Sequence, residues 1–387
     1  MIFVMILLGN TCYFYLTSFN MKIQSTMKNS KLFSLILILA AALFSVQCTT
    51  DPIPGPPGTD GVDGVDGVDG ISGTAECAAC HNIATAEEVH GSYLFSGHYN
   101  ENMDHDVDGD GINDPLSQYG NRGFGGLPCT ACHTSDGYID WTTGGNPLGG
   151  GWPVYDGTQT ISCESCHGTH KTFDFENDGF DYALRAIAPV MLETDMAYTI
   201  DYGAENASSH TCAKCHQPRE KFEDALLDNG NVAVGGRFGP HYGAQSTLLE
   251  GIQGAEIAGS VPYDAPTSAA HRSGSSCTNC HMGESNDLNI GKHSWNWTET
   301  SCTACHSSGV PTEVAGYDQL FTTLEGLLID QGLITESGSP VSGEYPVSQA
   351  SAIWNYRMLY YDHSNGVHNP EYAKALLQNS IEALNGN

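Results

Sequence analysis

One five-residue pattern, Cys-x-x-Cys-His, occurs six times in this chain of 387 residues. The copies are Cys77, Cys80 and His81; Cys129, Cys132 and His133; Cys163, Cys166 and His167; Cys212, Cys215 and His216; Cys277, Cys280 and His281; and Cys302, Cys305 and His306. Chance would supply on the order of 0.02 copies at this composition. Two thiols spaced this way can add across the vinyl groups of a haem, and the adjacent histidine can bind its iron. The densest stretch is 277–306, where two copies flank a lone His293.

Three other uses of paired cysteines fit less well. Disulfides in an exported chain do not require a histidine after each second cysteine. Zinc knuckles draw ligands from two cysteine pairs and need no adjacent histidine. A thioredoxin-like site has one pair in a βαβ setting, not six. The pattern therefore points to six covalent c-type haems.

Six such groups dominate what the chain can fold into. Residues 74–387 supply about 52 residues per haem, so porphyrins are expected to form much of the interior. The expected fold is mainly loop with short α-helices wrapped around a haem stack, closed by a C-terminal helical subdomain. Without haem, the apolar core looks too small to fold. The 45 glycines suit backbone lying against flat macrocycles. With 14 Lys and Arg against 45 Asp and Glu, the formal charge is −31. Such charge repels nucleic acid and anionic membranes, and suits plain solubility or a basic partner.

The chain divides into four stretches. Residues 1–48 read as an export signal, with Met27, Lys28 and Lys31 before an apolar run from Leu32 to Val46, and translation starting at Met21 or Met27. A membrane anchor is the alternative, although the run is short for a span. Cys48 directly follows and resembles a bacterial lipoprotein acceptor, although Gln47 departs from the usual small residue. Residues 49–73 include a glycine at every third position, with three Gly-Val-Asp triplets. The period runs from Gly55 to Gly73 and is collagen-like, but with only Pro56 and Pro57 within it the repeat reads as an acidic stalk rather than a trimerisation stem. Residues 74–316 carry the six motifs and residues 317–387 a helical segment.

Within the third stretch, Asp106, Asp108, Asp110 and Asp114, with Gly111 in the turn, resemble the calcium loops of thrombospondin type 3 repeats. Calcium is thus expected beside the haems, with a solvated acidic loop as the alternative. The first cysteines of successive motifs are 52, 34, 49, 65 and 25 residues apart. The short gaps place motifs two and three, and five and six, side by side. A helix is expected at 218–227, with Pro218 in its first turn. Helical periodicity also marks 318–332 and 348–361, and Asn369-Pro370 opens a third helix. His363 and His368 fall in the turn before it.

Ten histidines lie outside the motifs: His90, His98, His105, His170, His210, His241, His271, His293, His363 and His368. They suffice for a second axial ligand on every iron. Met103, Met191, Met196, Met282 and Met358 are the thioether alternatives. Local phrases around the histidines are similar to those of multihaem c-type cytochromes, a resemblance that covers residues 74–387. It implies that His170 just after motif three, His241 in Phe-Gly-Pro-His, His271 before motif five and His293 after it are distal ligands. Gly366-Val367-His368 before a helix resembles the terminal helix of the superfamily of pentahaem nitrite reductases and octahaem hydroxylamine oxidoreductases. This implies the same role for His368. His98 is preferred to His90 for the sixth position.

Those reductases usually carry lysine in place of one motif histidine, and this chain has no such copy. The expected function is therefore electron transfer through bis-histidine haems, not catalysis. The chain would act in the periplasm, on the outer membrane or outside a bacterial cell. Redox proteins or an extracellular acceptor would be its partners, and any membrane contact would come through the lipid. Two alternatives stay open. Its size and haem number are similar to those of filament-forming hexahaem cytochromes of metal-reducing bacteria, which implies self-assembly. A reductase of small nitrogen or sulfur oxyanions would need an open iron.

Overall fold

The computed structural model describes residues 77–78, 81–100, 129–144, 161–170, 182–311 and 313–386, plus the backbone of strands at 2–8, 11–17, 123–124 and 127–128. The leader run, Cys48, the glycine repeat, Cys80 and the aspartates at 106–114 lie outside the described residues. The chain forms two units, 1–71 and 72–387. In the first, strands β1 (Ile2–Leu8) and β2 (Thr11–Thr17) pair as an antiparallel hairpin.

The second unit is built from short helices. In chain order these are α1 (Ile83–Tyr93), α2 (Gly97–Asn100), α3 (Thr130–His133), α4 (Ser135–Thr142), α5 (Cys163–Cys166), α6 (Ser208–Cys215) and α7 (Gln245–Glu250). Then come α8 (Ala270–Gly274), α9 (Cys277–His281), α10 (Glu299–Thr303), α11 (Tyr317–Asp330), α12 (Val347–Asp362) and α13 (Pro370–Leu384). Three further two-stranded antiparallel pairs accompany them: β3 (Gly123–Phe124) with β4 (Leu127–Pro128), β5 (Val190–Met191) with β6 (Thr199–Ile200), and β7 (Asn231–Val234) with β8 (Gly343–Pro346). Among the described residues, no helix is long and apolar enough to cross a membrane.

Helices α11 and α13 follow the apolar periodicity, whereas α12 is buried on every side from Ala350 to Leu359. The side chain of Asn369 accepts from Tyr372 N at 3.1 Å, and Pro370 occupies the first turn, where its missing N–H costs nothing. Trp354, Ile353, Met358, Leu376 and Leu377 are buried between these helices. Each such side chain stabilises the fold by about 1.5–3 kcal/mol. The core continues through Phe222, Val232, Phe238 and Leu248. The C-terminal third and the segment packed on it therefore own a substantial apolar core. Elsewhere the clusters are small, one around Val190, Ile200 and Tyr202 and one around Ala131, Tyr138 and Trp141.

The expected helix at 218–227 reduces to a single 3-10 turn, Phe222–Ala225. Tertiary pairing overrides local propensity there. Arg219 N donates to Pro240 O at 3.1 Å, and Leu226 forms a bridge with Val232.

Buried polar side chains sew the loop before motif five onto the terminal helices. Asn355 accepts from Ala255 N at 2.8 Å and donates to Ala255 O at 2.9 Å. Trp354 Nε1 donates to Gln253 O at 3.0 Å, and Asn379 brackets Val261 with bonds of 3.1 and 2.8 Å. Each satisfies backbone that neither helix nor strand would pair.

Candidate functional site

Each of the five fully described motifs is one helical turn. The histidine N–H donates to the carbonyl of the first cysteine at 2.8 Å for His81, 3.1 Å for His133 and 2.9 Å for His167, His216 and His306. The fifth motif is α9 itself. An i, i+3, i+4 arrangement puts both thiols and the imidazole on one helix face, where a single planar group can engage all three. Cys132, Cys163, Cys166, Cys212, Cys215, Cys277, Cys280, Cys302 and Cys305 are unbridged. No group of three or more His, Cys, Asp or Glu is placed to hold a bare metal ion among the described residues.

The motif histidines face histidines from elsewhere in the chain. Ring centroids lie 6.1 Å apart for His81 and His170, 6.1 Å for His216 and His98, and 6.3 Å for His167 and His293. They lie 6.2 Å apart for His281 and His368 and 6.2 Å for His306 and His271. These rings are too far apart for contact stacking. A metal–imidazole bond is about 2.0 Å and the ring nitrogen sits about 1.1 Å from its centre, so two rings sharing one ion stand about 6.2 Å apart. The observed spacing fits an iron between them. His133 neighbours His241, whose pKa falls to about 4 through burial first, then the fields of His133, Arg219 and Arg237.

At His98, His241, His281 and His293 the electrostatics favour a neutral ring with a free lone pair, the form a metal requires. Burial, with help from the facing motif histidine, lowers His98 and His293 to about 4. His281 is lowered, chiefly by burial. At His368 burial pulls downward, but the charge and hydrogen bond of Asp362 outweigh it and leave the pKa raised.

Several Nδ1 atoms face oxygens that can only accept, so Nδ1 carries the proton and Nε2 is left for a metal. His167 donates to Tyr182 O at 2.6 Å, His271 to Val367 O at 2.5 Å and His281 to Trp295 O at 2.8 Å. His216 faces Gln245 Oε1 at 3.3 Å, an amide oriented by its own bond to Tyr361 O. His98 Nδ1 is sealed from solvent without a hydrogen-bond partner, its ring 4.6 Å from that of Trp295.

The remaining histidines are placed otherwise. Both ring nitrogens of His210 are spent on backbone: Nδ1 donates to Ile187 O at 2.8 Å and Nε2 accepts from Tyr202 N at 2.9 Å. His90 and His363 are exposed, and His105 lies outside the described residues. Of the thioethers, Met358 is packed in the core, while Met191 and Met196 are surface residues.

Motifs two and three touch through a serine cluster, Ser135 Oγ lying 2.9 Å from Ser162 Oγ and 2.8 Å from Ser165 Oγ. Motifs five and six adjoin through α9 and α10. Both neighbours match the short sequence gaps. Two further contacts do not follow from spacing. Motif four meets motif two where the Cys132 and Cys215 thiols hydrogen-bond. It meets motif five where Cys212 faces Cys277 and Thr278 Oγ1 lies 3.0 Å from both Ser208 Oγ and Ser209 Oγ.

Two residues at these centres had no sequence signal beyond adjacency. Trp295 contacts the rings of His98 and His293, at 4.6 and 5.6 Å, and its carbonyl takes the His281 proton. Asp362 meets His368 Nδ1 at 2.6 Å.

No protein-family model matches the chain, and no curated protein matches it. Among solved structures it is similar to the outer cell wall cytochrome OcwA, with a TM-score of 0.44 and 16% identity over 76% of this chain. The chain spans about half the length of that protein, the match covering 50% of it. So distant a likeness carries no argument about function, which rests on the residues themselves.

Proposed function

We propose that this chain is a multihaem c-type cytochrome that transfers electrons through six bis-histidine haems. A c-type haem supplies one-electron iron chemistry when bound. The observation that carries the reading is the five pairs of facing imidazoles at 6.1–6.3 Å, one member of each pair belonging to a Cys-x-x-Cys-His turn. The motif cysteines would hold the six groups covalently. His81 with His170, His133 with His241, His167 with His293, His216 with His98, His281 with His368 and His306 with His271 would hold the irons.

Intrachain partners for all six motif histidines support electron transfer over catalysis, because a filled coordination shell leaves no place for substrate. They also support a self-sufficient carrier over a filament whose subunits donate ligands to one another. The apolar leader and Cys48 support export and a lipid tether, with redox proteins or an extracellular acceptor as partners.

Intact mass of the mature holoprotein tests the count. It should exceed the processed polypeptide by six haem masses, and a smaller increment in fully matured material would overturn it.

A further inference from the structure

The turn between α12 and α13 holds a carboxylate against one of the proposed ligands. Asp362 is the last residue of α12, and its side chain is 1% exposed. One oxygen, Oδ1, takes the His368 Nδ1 proton at 2.6 Å. The other, Oδ2, accepts from Ser364 N at 3.2 Å and from the Ser364 hydroxyl. Ser364 Oγ in turn accepts from His368 N at 3.2 Å, which closes the loop on itself. The carboxylate is therefore clamped at both oxygens and cannot swing away from the ring.

Backbone strain keeps the turn in this shape. His363, Asn365 and Gly366 are left-handed, at φ 57°, 51° and 83°. Gly366 has no alternative, since a Cβ there would come within 2.6 Å of the Tyr317 ring.

Elsewhere the named Nδ1 partners are neutral: the carbonyls of Tyr182, Val367 and Trp295 and the amide of Gln245. A hydrogen bond to an ionised acceptor is about twice as strong as one to a neutral oxygen. It pushes electron density through the ring to Nε2 and makes the imidazole a stronger donor. A stronger donor, beside a buried negative charge, favours the more oxidised state of whatever iron it binds.

We infer that Asp362 is a positioning residue that fixes the His368 ring and lowers the reduction potential of the centre shared by His281 and His368. The inference rests on the proposed haem ligation and goes beyond it, by tying the potential of one centre to one buried carboxylate. No proton leaves Nδ1 in this account, because the effect is polarisation across a fixed hydrogen bond.

Redox titration of the holoprotein, followed optically, provides the test. Asp362→Asn keeps the shape and an acceptor oxygen but removes the charge. It should raise the sum of the six macroscopic midpoints, with most of the change in one of them, while all six haems stay low-spin. Unchanged midpoints with six low-spin haems would overturn the role of Asp362 and leave the haem assignment standing. If Asp362→Asn does not mature, Ser364→Ala frees Oδ2 and should move the same midpoint in the same direction by less. No shift in that variant would equally overturn the inference. His368→Ala separates the two layers: six low-spin haems in that variant would refute the ligation itself.

Discussion

Removing the Asn355 carboxamide should loosen the loop that delivers His271 to its partner. Asn355 is completely buried and makes three hydrogen bonds, to Ala255 N at 2.8 Å, Ala255 O at 2.9 Å and Ser380 Oγ at 3.0 Å. In Asn355→Ala, the two Ala255 backbone groups lose their partner where water does not reach. Each stranded group costs about 1–3 kcal/mol, so the pair sets a loss of about 2–6 kcal/mol. The small cavity adds to it. For a unit spanning 72–387, about 1.5 °C of melting temperature goes with each kcal/mol, so the midpoint should fall by about 3–9 °C. Thermal melts of the holoprotein followed by circular dichroism would measure this. The same samples, held below the melt, should gain a high-spin fraction as His271 drifts from His306. A melting shift under about 2 °C would refute the argument that these bonds hold the loop.

Three other outcomes are expected. His210→Ala should lower stability, since both ring nitrogens bond backbone, yet leave the number of low-spin haems unchanged; a new high-spin signal would make His210 a ligand. Trp295→Leu should alter the electron paramagnetic resonance signals of the centres containing His98 and His293 and spare those of His81 and His306, because the indole touches the first pair of rings only. Six unaltered signals would refute that contact. Asp108→Ala with Asp110→Ala should abolish any calcium-dependent rise in melting temperature, and an unchanged calcium response would exclude that loop as the ion's site.

The Cys-x-x-Cys-His turns were legible because their pattern is local: five residues of one helical turn carry both thiols and the imidazole. The terminal helices were legible for a similar reason, since Leu324, Leu328, Ile353, Leu376 and Leu377 repeat at helical spacing. The histidines that face the motifs are among the ten that lie outside them in the sequence. Their pairing was not legible, because it is decided by long-range packing. His98 crosses to His216 and His167 to His293, over more than a hundred residues, and no local pattern encodes such a choice. Asp362 and Trp295 were missed for the same reason, since each acquires its role from a ring brought in by another segment. The expected helix at 218–227 failed where Leu226 found a strand partner instead. The joining of apolar residues of 222–255 and 317–381 into one core was not legible either, because the two stretches are separated in sequence and meet only once folded.

The spin state of the irons bears most directly on the claim that six histidine pairs close six haems. Electron paramagnetic resonance of the ferric holoprotein at neutral pH should show low-spin iron only, and the reduced protein should bind no carbon monoxide. A stoichiometric high-spin signal, or uptake of one carbon monoxide per chain, would mean that one facing pair is not a ligand pair. The account of a closed electron conductor would then be wrong.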